Sequence, residues 1–294
     1  MRYRHAGTAG PLVSAVGLDC GGFADIAAAD RIVGAAIDAG ITLFDTSDVA
    51  GDRGGAETVL GKVLRRHRGS VVIATKFGGD MGLSAGPRAA RRYIHLAVEE
   101  SLRRLGTDYI DLYQQHGPDD SMPIEETFSA LHRLAVAGKI RHYGGVEYEL
   151  WRLHEAAALA QTVRMIPLSS VQYRYGLLDR DAATDRFPAC RQGGIGIIAT
   201  DPTGGGAVTR HEGVARFARE RGLGPLDVAI GHAAGQEGVA AVLVTAGSEE
   251  EAKAAAAAAD WRPTPADLAA LDALDPSGAL GPSTRTEENH GPRR

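Results

Sequence analysis

Three residues able to take part in proton transfer stand at the ends of three apolar segments. Asp45 ends ITLFD, Lys76 follows VVIAT, and His116 follows YIDLYQQ. A carboxylate stabilises a nearby ammonium group, and an imidazole gains and loses its proton near neutral pH. Brought together, these side chains suit general acid–base chemistry at a carbonyl group. Glu147 follows a later apolar segment and is a fourth candidate catalytic residue.

Short apolar segments alternate along the chain with longer amphipathic ones. The segments with strand character span 14–18, 42–45, 71–75, 109–114, 142–146, 169–173, 194–200 and 240–245. Helical patterns span 29–39, 55–67, 91–105, 124–138, 149–161, 211–221, 226–236 and 249–258. The strand segments are almost continuous in Val, Ile and Leu, which is typical of parallel strands buried on both faces. The alternation therefore predicts parallel βαβ units.

A closed (β/α)8 barrel is the predicted fold. Parallel units with right-handed crossovers form either such a barrel or an open, doubly wound sheet. The glycines of GGFAD at 21–25 lack the spacing of a dinucleotide-binding fingerprint, which favours the barrel. In a barrel, the residues that follow the strands meet at the face where active sites lie. The residues predicted to meet at this face are Asp45, Lys76, His116, Glu147, Gln172 and Asp201.

Composition narrows the classes of partner. A net charge of −5 without a basic cluster argues against nucleic acid and leaves a small-molecule substrate. No apolar run approaches the roughly 20 residues of a membrane span, and the first ten residues do not resemble a signal peptide. Cys20 and Cys190 lie far apart without metal-ligand spacing. Reduced thiols, a cytoplasmic location and no metal site are therefore expected, while the oligomeric state is left open.

Longer stretches of the chain resemble the aldo-keto reductase family. FDTSDVAG followed by AETVLGKVL, and LRRLGTDYIDLYQQHGPD followed by PIEETFSALHRLAVAGKIRHYGGV, are similar to its most recognisable segments. VQYRYGLLDRD and WRPTPADLAALDAL are similar to later ones, so the resemblance covers roughly residues 1–275. It implies a TIM barrel in which Asp, Tyr, Lys and His form a catalytic tetrad. In that family the tyrosine protonates a carbonyl while NADPH delivers hydride.

The proton donor of that tetrad is missing. Asp45, Lys76 and His116 match the family pattern, but Ala50 stands at the tyrosine position, flanked by residues that keep their places. A methyl group has no proton to give.

Several cofactor contacts implied by the family are also missing. Glu147–Tyr148 replace a Ser-Asn pair that holds the nicotinamide carboxamide, and Thr200 replaces a tyrosine that stacks on the ring. Gly247 replaces an arginine that grips the 2′-phosphate, and three glutamates at 249–251 place negative charge beside it. The residues that would still bind a nucleotide are Gln172, Gly204, Gly206, Ser248 and Glu251.

These losses lead to a non-redox hypothesis. We expect a dehydratase (lyase) or epimerase (isomerase) that needs no cofactor and acts on a small carbonyl or keto-sugar-like substrate of specialised metabolism. His116, Lys76, Asp45 and Glu147 would move the protons. The predicted substrate pocket is lined by Ala50, Tyr148, Thr200 and Asp201.

Two other functions remain open. One is an NAD(P)H-dependent carbonyl reductase in which His116 or Glu147 replaces the tyrosine, and the other is a non-catalytic binding barrel. For several of these residues a purely structural role is an alternative to the catalytic or binding role. Glu147 can pair with Arg174, Asp201 can form a turn before a proline, and Asp45 with Lys76 can persist as a structural ion pair.

The domain prediction is simple. Residues 1–275 form a single barrel, and residues 276–294, rich in Gly, Pro and polar side chains, form a flexible C-terminal tail.

Overall fold

Eight parallel strands close into a barrel in the computed structural model, which describes residues 1–82, 86–163 and 165–274. After the strands β1 (Tyr3–His5) and β2 (Leu12–Ser14) come the barrel strands β3 (Val16–Asp19), β4 (Leu43–Asp45), β5 (Val72–Phe77), β6 (Ile110–Gln115), β7 (Ile140–Val146), β8 (Ser170–Arg174), β9 (Gly196–Thr200) and β10 (Val239–Val244). Each barrel strand pairs with its sequence neighbour, and β10 pairs with both β9 and β3. The predicted (β/α)8 barrel is confirmed.

Helices cover the outside of the barrel. They are α1 (Ile26–Asp38), α2 (Ala50–Leu64), α3 (Arg91–Leu105), α4 (Ile124–Val136), α5 (Leu150–Val163), α6 (Asp181–Thr184), α7 (Arg186–Gln192), α8 (Ala207–Arg210), α9 (Glu212–Glu220), α10 (Pro225–Gly235), α11 (Glu249–Ala258) and α12 (Pro265–Asp272). None of these described helices has the length and apolar character needed to cross a membrane. The tail predicted at 276–294 lies outside the described residues.

The antiparallel hairpin β1–β2 covers the amino-terminal end of the barrel. Gly7 bridges to Ile195, immediately before β9, and the Thr8 N–H donates to the Gly194 carbonyl over 2.8 Å. Ala6 and Val13 from the hairpin belong to the apolar cluster inside the barrel. The hairpin therefore closes the end of the barrel opposite the strand ends that carry the candidate catalytic residues.

Two apolar layers hold the barrel together. The inner cluster contains the small and branched side chains of Leu43, Ala74, Leu112, Ile198 and Ala241. A larger outer cluster joins the strands to the surrounding helices. Burial on both faces explains the continuous apolar runs of the strand segments.

A left-handed turn interrupts the start of α2. Gly51, Asp52, Arg53 and Gly54 all have positive φ angles, between 55° and 91°. The regular part of α2 therefore begins at Gly55, where the sequence pattern placed it. The turn directs the chain away from Ala50 and the end of β4.

Candidate active site

A buried ion pair lies at the carboxyl ends of two neighbouring strands. Asp45 is the last residue of β4, and Lys76 is the last but one of β5. The Lys76 Nζ donates to Asp45 Oδ2 and, over 3.0 Å, to the Thr46 carbonyl. Asp45 is 2% exposed and Lys76 is 8% exposed. The pair forms the floor of the barrel mouth.

Two glutamine side chains fix the other oxygen of Asp45. Gln172 Nε2 on β8 donates to Asp45 Oδ1 over 2.8 Å, and Gln114 Nε2 on β6 donates to the same atom over 3.2 Å. Burial raises the pKa of the Asp45 carboxyl, and the ammonium of Lys76 acts in the opposite direction. The carboxylate accepts hydrogen bonds from three side chains and is held in a single orientation.

His116 lies beside this pair, on the wall of an open cavity. It follows β6, and its main-chain N–H donates to the Phe77 carbonyl over 2.8 Å. The cavity measures about 560 Å³ and is also lined by Arg88, Gln115 and Asp119. His116 is exposed at this cavity, and partial desolvation, followed by the positive charge of Lys76, lowers the pKa of its imidazole. The imidazole is therefore neutral at pH 7.

Ala50 leaves the tyrosine position without a hydroxyl group. Its methyl group faces Gly21 beyond the end of β3, since a Cβ built on Gly21 would lie 3.6 Å from the Ala50 Cβ. Asp19 ends β3 and accepts the Gly21 N–H over 2.9 Å. Its negative charge raises the pKa of Asp45. A carboxylate therefore stands near the place that the tyrosine occupies in the family.

The structure places Glu147 against the backbone of β8, and its predicted catalytic role stays a prediction. This residue has a φ angle of 52°, and its Oε1 accepts the Arg174 main-chain N–H over 2.7 Å. It thus binds the β8 backbone, whereas the Arg174 guanidinium lies 3.8 Å from Asp201. No hydrogen bond among the described residues joins Glu147 to His116 or Lys76. The contact with the Arg174 N–H gives Glu147 a structural role at the end of β8.

Tyr148 does not line the pocket. It is 0% exposed, and its ring lies against Gly145, where an added Cβ would approach within 2.5 Å. Its hydroxyl donates to Gln115 Oε1 over 2.6 Å, and its carbonyl accepts the hydroxyl of Tyr173 over 2.6 Å. The prediction of Tyr148 as a substrate-pocket residue is corrected, because the left-handed conformation of Glu147 turns this side chain into the core.

The glycine loop after β9 is held by hydrogen bonds between its own residues. The Gly204 N–H donates to the Asp201 carbonyl over 3.1 Å, and the Gly205 N–H donates to Asp201 Oδ1 over 2.8 Å. The Gly206 N–H faces Thr203 Oγ1 at 3.3 Å. These N–H groups are engaged within the loop, and a cofactor contact of Gly204 and Gly206 stays a prediction. Asp201 organises this turn, with Thr200 half-buried at the end of β9.

The start of α11 is also capped from within. Ser248 is the N-cap, and its Oγ accepts the Glu251 N–H over 3.2 Å. Glu251 Oε2 reaches back to accept the Gly247 N–H over 2.7 Å. These two contacts use donors of the helix end that could otherwise bind an anion. The described structure thus gives Ser248 and Glu251 a capping role.

The chain belongs to the aldo-keto reductase family. A family model described as "Aldo/keto reductase family" matches residues 19–276. A protein named "Probable aldo-keto reductase 1" from Glycine max is 38% identical over 174 residues. That alignment covers 57% of this chain and 47% of the relative, so it spans about half of the relative's length.

Family membership changes the functional interpretation. The family match, together with a relative named as a probable reductase, supports an oxidoreductase. The hypothesis of a cofactor-independent lyase or isomerase is therefore wrong. Its companion expectation, that no cofactor takes part, is not supported either, because aldo-keto reductases generally use NADPH or NADH.

Sequence reasoning missed three residues of this region. Gln114 holds Asp45, Asp19 acts on it through charge, and Asp48, in the segment that carries Asp45, is completely buried. Asp19 and Gln114 could have been found from their places at strand ends beside the predicted site. Asp48 could not, because nothing in the sequence shows that its side chain points away from the barrel mouth. Among the described residues, no group of three or more His, Cys, Asp or Glu side chains forms a metal-binding arrangement.

Proposed function

We propose that this chain is a nicotinamide-dependent oxidoreductase that interconverts a carbonyl group and an alcohol in a small molecule. The observation that carries the proposal is the Asp45–Lys76 pair, held by Gln114 and Gln172 at the barrel mouth beside His116. In a family of reductases, this arrangement places a positive charge where an alkoxide develops. His116, which follows β6 and is within the electrostatic influence of Lys76, offers a neutral hydrogen-bond donor.

The nicotinamide end of a cofactor fits the residues of the mouth. Gln172 Nε2 donates one hydrogen bond to Asp45, and the Gln172 Oε1 accepts none of the hydrogen bonds in the described part of the chain. This oxygen is the group that would bind the nicotinamide carboxamide. The nicotinamide, when bound, supplies the hydride.

The other end of the cofactor site favours NADH over NADPH. Three glutamates stand in the first turn of α11, and Ser248 and Glu251 cap its N-terminus. A 2′-phosphate there meets like charge, whereas the 2′-hydroxyl of NADH can donate to a carboxylate. The N–H groups of the glycine loop are already hydrogen-bonded within the loop. We therefore propose that other groups bind the pyrophosphate. We propose NADH as the cofactor.

Lys76 is the proton donor in this proposal. Its ammonium group has three N–H bonds, of which Asp45 and the Thr46 carbonyl accept two. The third can donate to a carbonyl oxygen in the mouth. As the carbonyl carbon gains hydride, its oxygen takes a proton from Lys76 Nζ, and the neutral amine is reprotonated from solvent. A neutral imidazole is too weak an acid to protonate the carbonyl oxygen. The role left for His116 is to orient this oxygen by a hydrogen bond.

Transfer of deuterium from NADH deuterated at C4 tests the proposal. Purified protein is incubated with this NADH and a panel of aldehydes and ketones, and the alcohol products are analysed by mass spectrometry. We expect deuterium in a product carbon. Lys76→Met and Lys76→Arg should each reduce kcat by about 100-fold or more, because neither side chain is an effective acid at neutral pH. Unchanged transfer by both folded variants would exclude Lys76 as donor.

A cytoplasmic location is part of the proposal. Cys20 and Cys190 are free thiols and both are buried. Such cysteines are compatible with a reducing compartment. Fractionation of cells that express the full chain tests this location.

A further inference from the structure

Asp19 is a second acidic residue of the barrel mouth, and the proposed hydride and proton transfers do not use it. It is the last residue of β3 and lies in register with Asp45, the last residue of β4. Residues in register on two parallel strands point to the same face of the sheet. Asp45 points into the barrel, where Gln172 binds it, so the side chain of Asp19 also faces the barrel mouth.

The preceding residues of β3 support the same orientation. A Cβ built on Gly17 would lie 2.8 Å from Leu243 and 2.9 Å from Leu43. Both leucines belong to the apolar cluster inside the barrel, so Gly17 faces the interior. Side chains two residues apart on a strand share a face. Asp19 therefore lies beyond that cluster, at the open end of the barrel.

The carboxylate of Asp19 is accessible to a ligand. The residue is exposed, unlike its buried neighbour Asp45. Its Oδ1 accepts the Gly21 N–H over 2.9 Å, and within the described residues no further hydrogen bond and no ion pair reaches the carboxylate. Oδ2 therefore remains available to a group that enters the barrel mouth.

This side of the mouth carries more negative than positive charge. Asp19, Asp45 and Lys76 stand on the consecutive strands β3, β4 and β5, and the single ammonium group is bound to Asp45. Desolvation is the largest cause of the raised pKa of Asp45, Lys76 opposes it, and the negative charge of Asp19 adds to it. His116 is neutral at pH 7 and brings no positive charge. Uncompensated negative charge in a cleft attracts cations.

The methyl group of Ala50 lies on the same side of the mouth. A Cβ built on Gly21 would lie 3.1 Å from Asp19 Oδ1 and 3.6 Å from the Ala50 Cβ, so both groups border Gly21. A phenol at position 50 would bring a ring to this region, whereas a methyl group takes far less volume. A small residue beside an accessible carboxylate suits a cationic group of the substrate.

We propose that Asp19 selects carbonyl substrates that carry a positive charge close to the carbonyl group, such as an ammonium group on the neighbouring carbon. This inference rests on the proposed interconversion of a carbonyl group and an alcohol. The carbonyl oxygen accepts from Lys76 Nζ, and the cationic group lies on the Asp19 side of the mouth, where it compensates the negative charge. Asp19 thus determines specificity, because neutral and anionic substrates lack this attraction.

Two aldehydes of the same shape test the charge selection. Betaine aldehyde carries a trimethylammonium group where 3,3-dimethylbutanal carries a tert-butyl group, so the two differ in charge but little in size. kcat/KM is measured for each aldehyde with NADH, and the ratio of the cationic to the neutral value is compared between proteins. We expect Asp19→Asn to lower this ratio by about five- to tenfold and Asp19→Glu to retain it. An indirect effect on Lys76 acts on both aldehydes alike and cancels in the ratio.

Asp38→Asn is the matched control. Asp38 is exposed and ends α1, next to Gly40, whose carbonyl accepts the Tyr3 hydroxyl of the hairpin β1–β2. Its replacement removes the same charge at the end of the barrel opposite the mouth. We expect the ratio of this variant to equal that of the unmodified protein. The same ratio in Asp19→Asn, Asp38→Asn and the unmodified protein overturns the assignment of Asp19.

Deuterium transfer separates this inference from the proposed function. If NADH deuterated at C4 labels neither alcohol product, nor any product of the wider panel, the nicotinamide-dependent reaction fails and the substrate assignment fails with it. Label in both products, with an unchanged ratio in Asp19→Asn, overturns the substrate assignment alone.

Salt dependence decides if Asp19→Asn does not fold. Raising NaCl from about 0.02 M to about 0.5 M screens the attraction between Asp19 and a cationic substrate. In the unmodified protein we expect kcat/KM to fall further for betaine aldehyde than for 3,3-dimethylbutanal. An equal response of the two aldehydes overturns the assignment.

Discussion

At the level of single residues, the main difference from the family pattern is the methyl group of Ala50. The ion pair that would acidify a tyrosine is present, with Lys76 bound to Asp45 and both side chains buried. Beside the ion pair, the Ala50 Cβ faces Gly21, where an added Cβ would lie 3.6 Å from it. The site thus contains the groups that tune a phenol but not the phenol itself.

Restoring the phenol should raise the activity. We predict that Ala50→Tyr increases kcat for carbonyl reduction by about 100-fold or more, because a positioned general acid contributes about 10²–10⁴-fold. Steady-state kinetics with NADH and the carbonyl substrate identified by deuterium transfer measure the change. Ala50→Phe is the control, since it adds the ring without the hydroxyl. An equal effect of Tyr and Phe, or no gain from Tyr, contradicts the account of the site.

The sequence predicted part of the site at this scale. Asp45, Lys76 and His116 are placed by strand ends, which the apolar pattern defines well. Glu147 and Tyr148 also follow a strand, but the positive φ angle of Glu147 turns one side chain to the β8 backbone and the other into the core. A backbone reversal at a non-glycine residue leaves no clear sign in a single sequence. The pKa of the His116 imidazole is lowered by desolvation and then by the charge of Lys76, and both effects depend on neighbours that the histidine's own sequence segment does not show.

At the level of elements, a buried ion pair connects α2 to α3. Glu57 on α2 is completely buried and binds both Arg104 on α3 and Thr75 on β5. This pair fixes the two helices against each other behind the barrel mouth.

Breaking this pair should destabilise the fold strongly. Glu57→Gln removes the buried counter-ion of Arg104 and leaves only the more exposed Glu100, 3.7 Å away, so we predict a loss of about 3 kcal/mol in the free energy of unfolding, measured in urea. Asp30→Asn is the matched control, because the ion pair of Asp30 with Arg66 is exposed. Its loss should stay below about 1 kcal/mol. A similar small effect for both variants would show that the buried pair does not hold the helices.

Elements were predicted more completely than the connections between them. The barrel strands and the helices that cover them follow from the alternation of apolar and amphipathic segments. The hairpin β1–β2 was missed because its strands have only three residues each. The helices between β8 and β9 and the turn at Gly51–Gly54 were missed because they have no apolar period of their own.

For the whole molecule, stability should depend on pH through a histidine in the core. His232 on α10 is 0% exposed, and its ring stacks on Tyr175 at 5.9 Å. Burial, and then the charge of Arg180, lower the pKa of His232 to about 4. The folded state therefore takes up this proton less readily than the unfolded chain, whose histidines titrate near 6.5.

The difference between the folded and unfolded pKa values of His232 contributes to the free energy of unfolding, and this contribution is fully present above about pH 6.5. As the pH falls from about 6.5 to about 4, we predict a loss of up to about 3 kcal/mol from this residue. Urea unfolding at several pH values measures it, and His232→Gln should make the dependence shallower. The exposed His154→Gln should leave it unchanged. Identical pH profiles for the unmodified protein and His232→Gln would refute the assignment.

The most direct test of the central claim is calorimetric titration of the purified protein with NADH and with NADPH. We predict micromolar binding of NADH, through the mouth that contains Gln172, and at least tenfold weaker binding of NADPH, because of the acidic first turn of α11. No heat of binding for either dinucleotide up to millimolar concentration would contradict nicotinamide-dependent chemistry. Tighter binding of NADPH than of NADH would contradict the assignment of the cofactor.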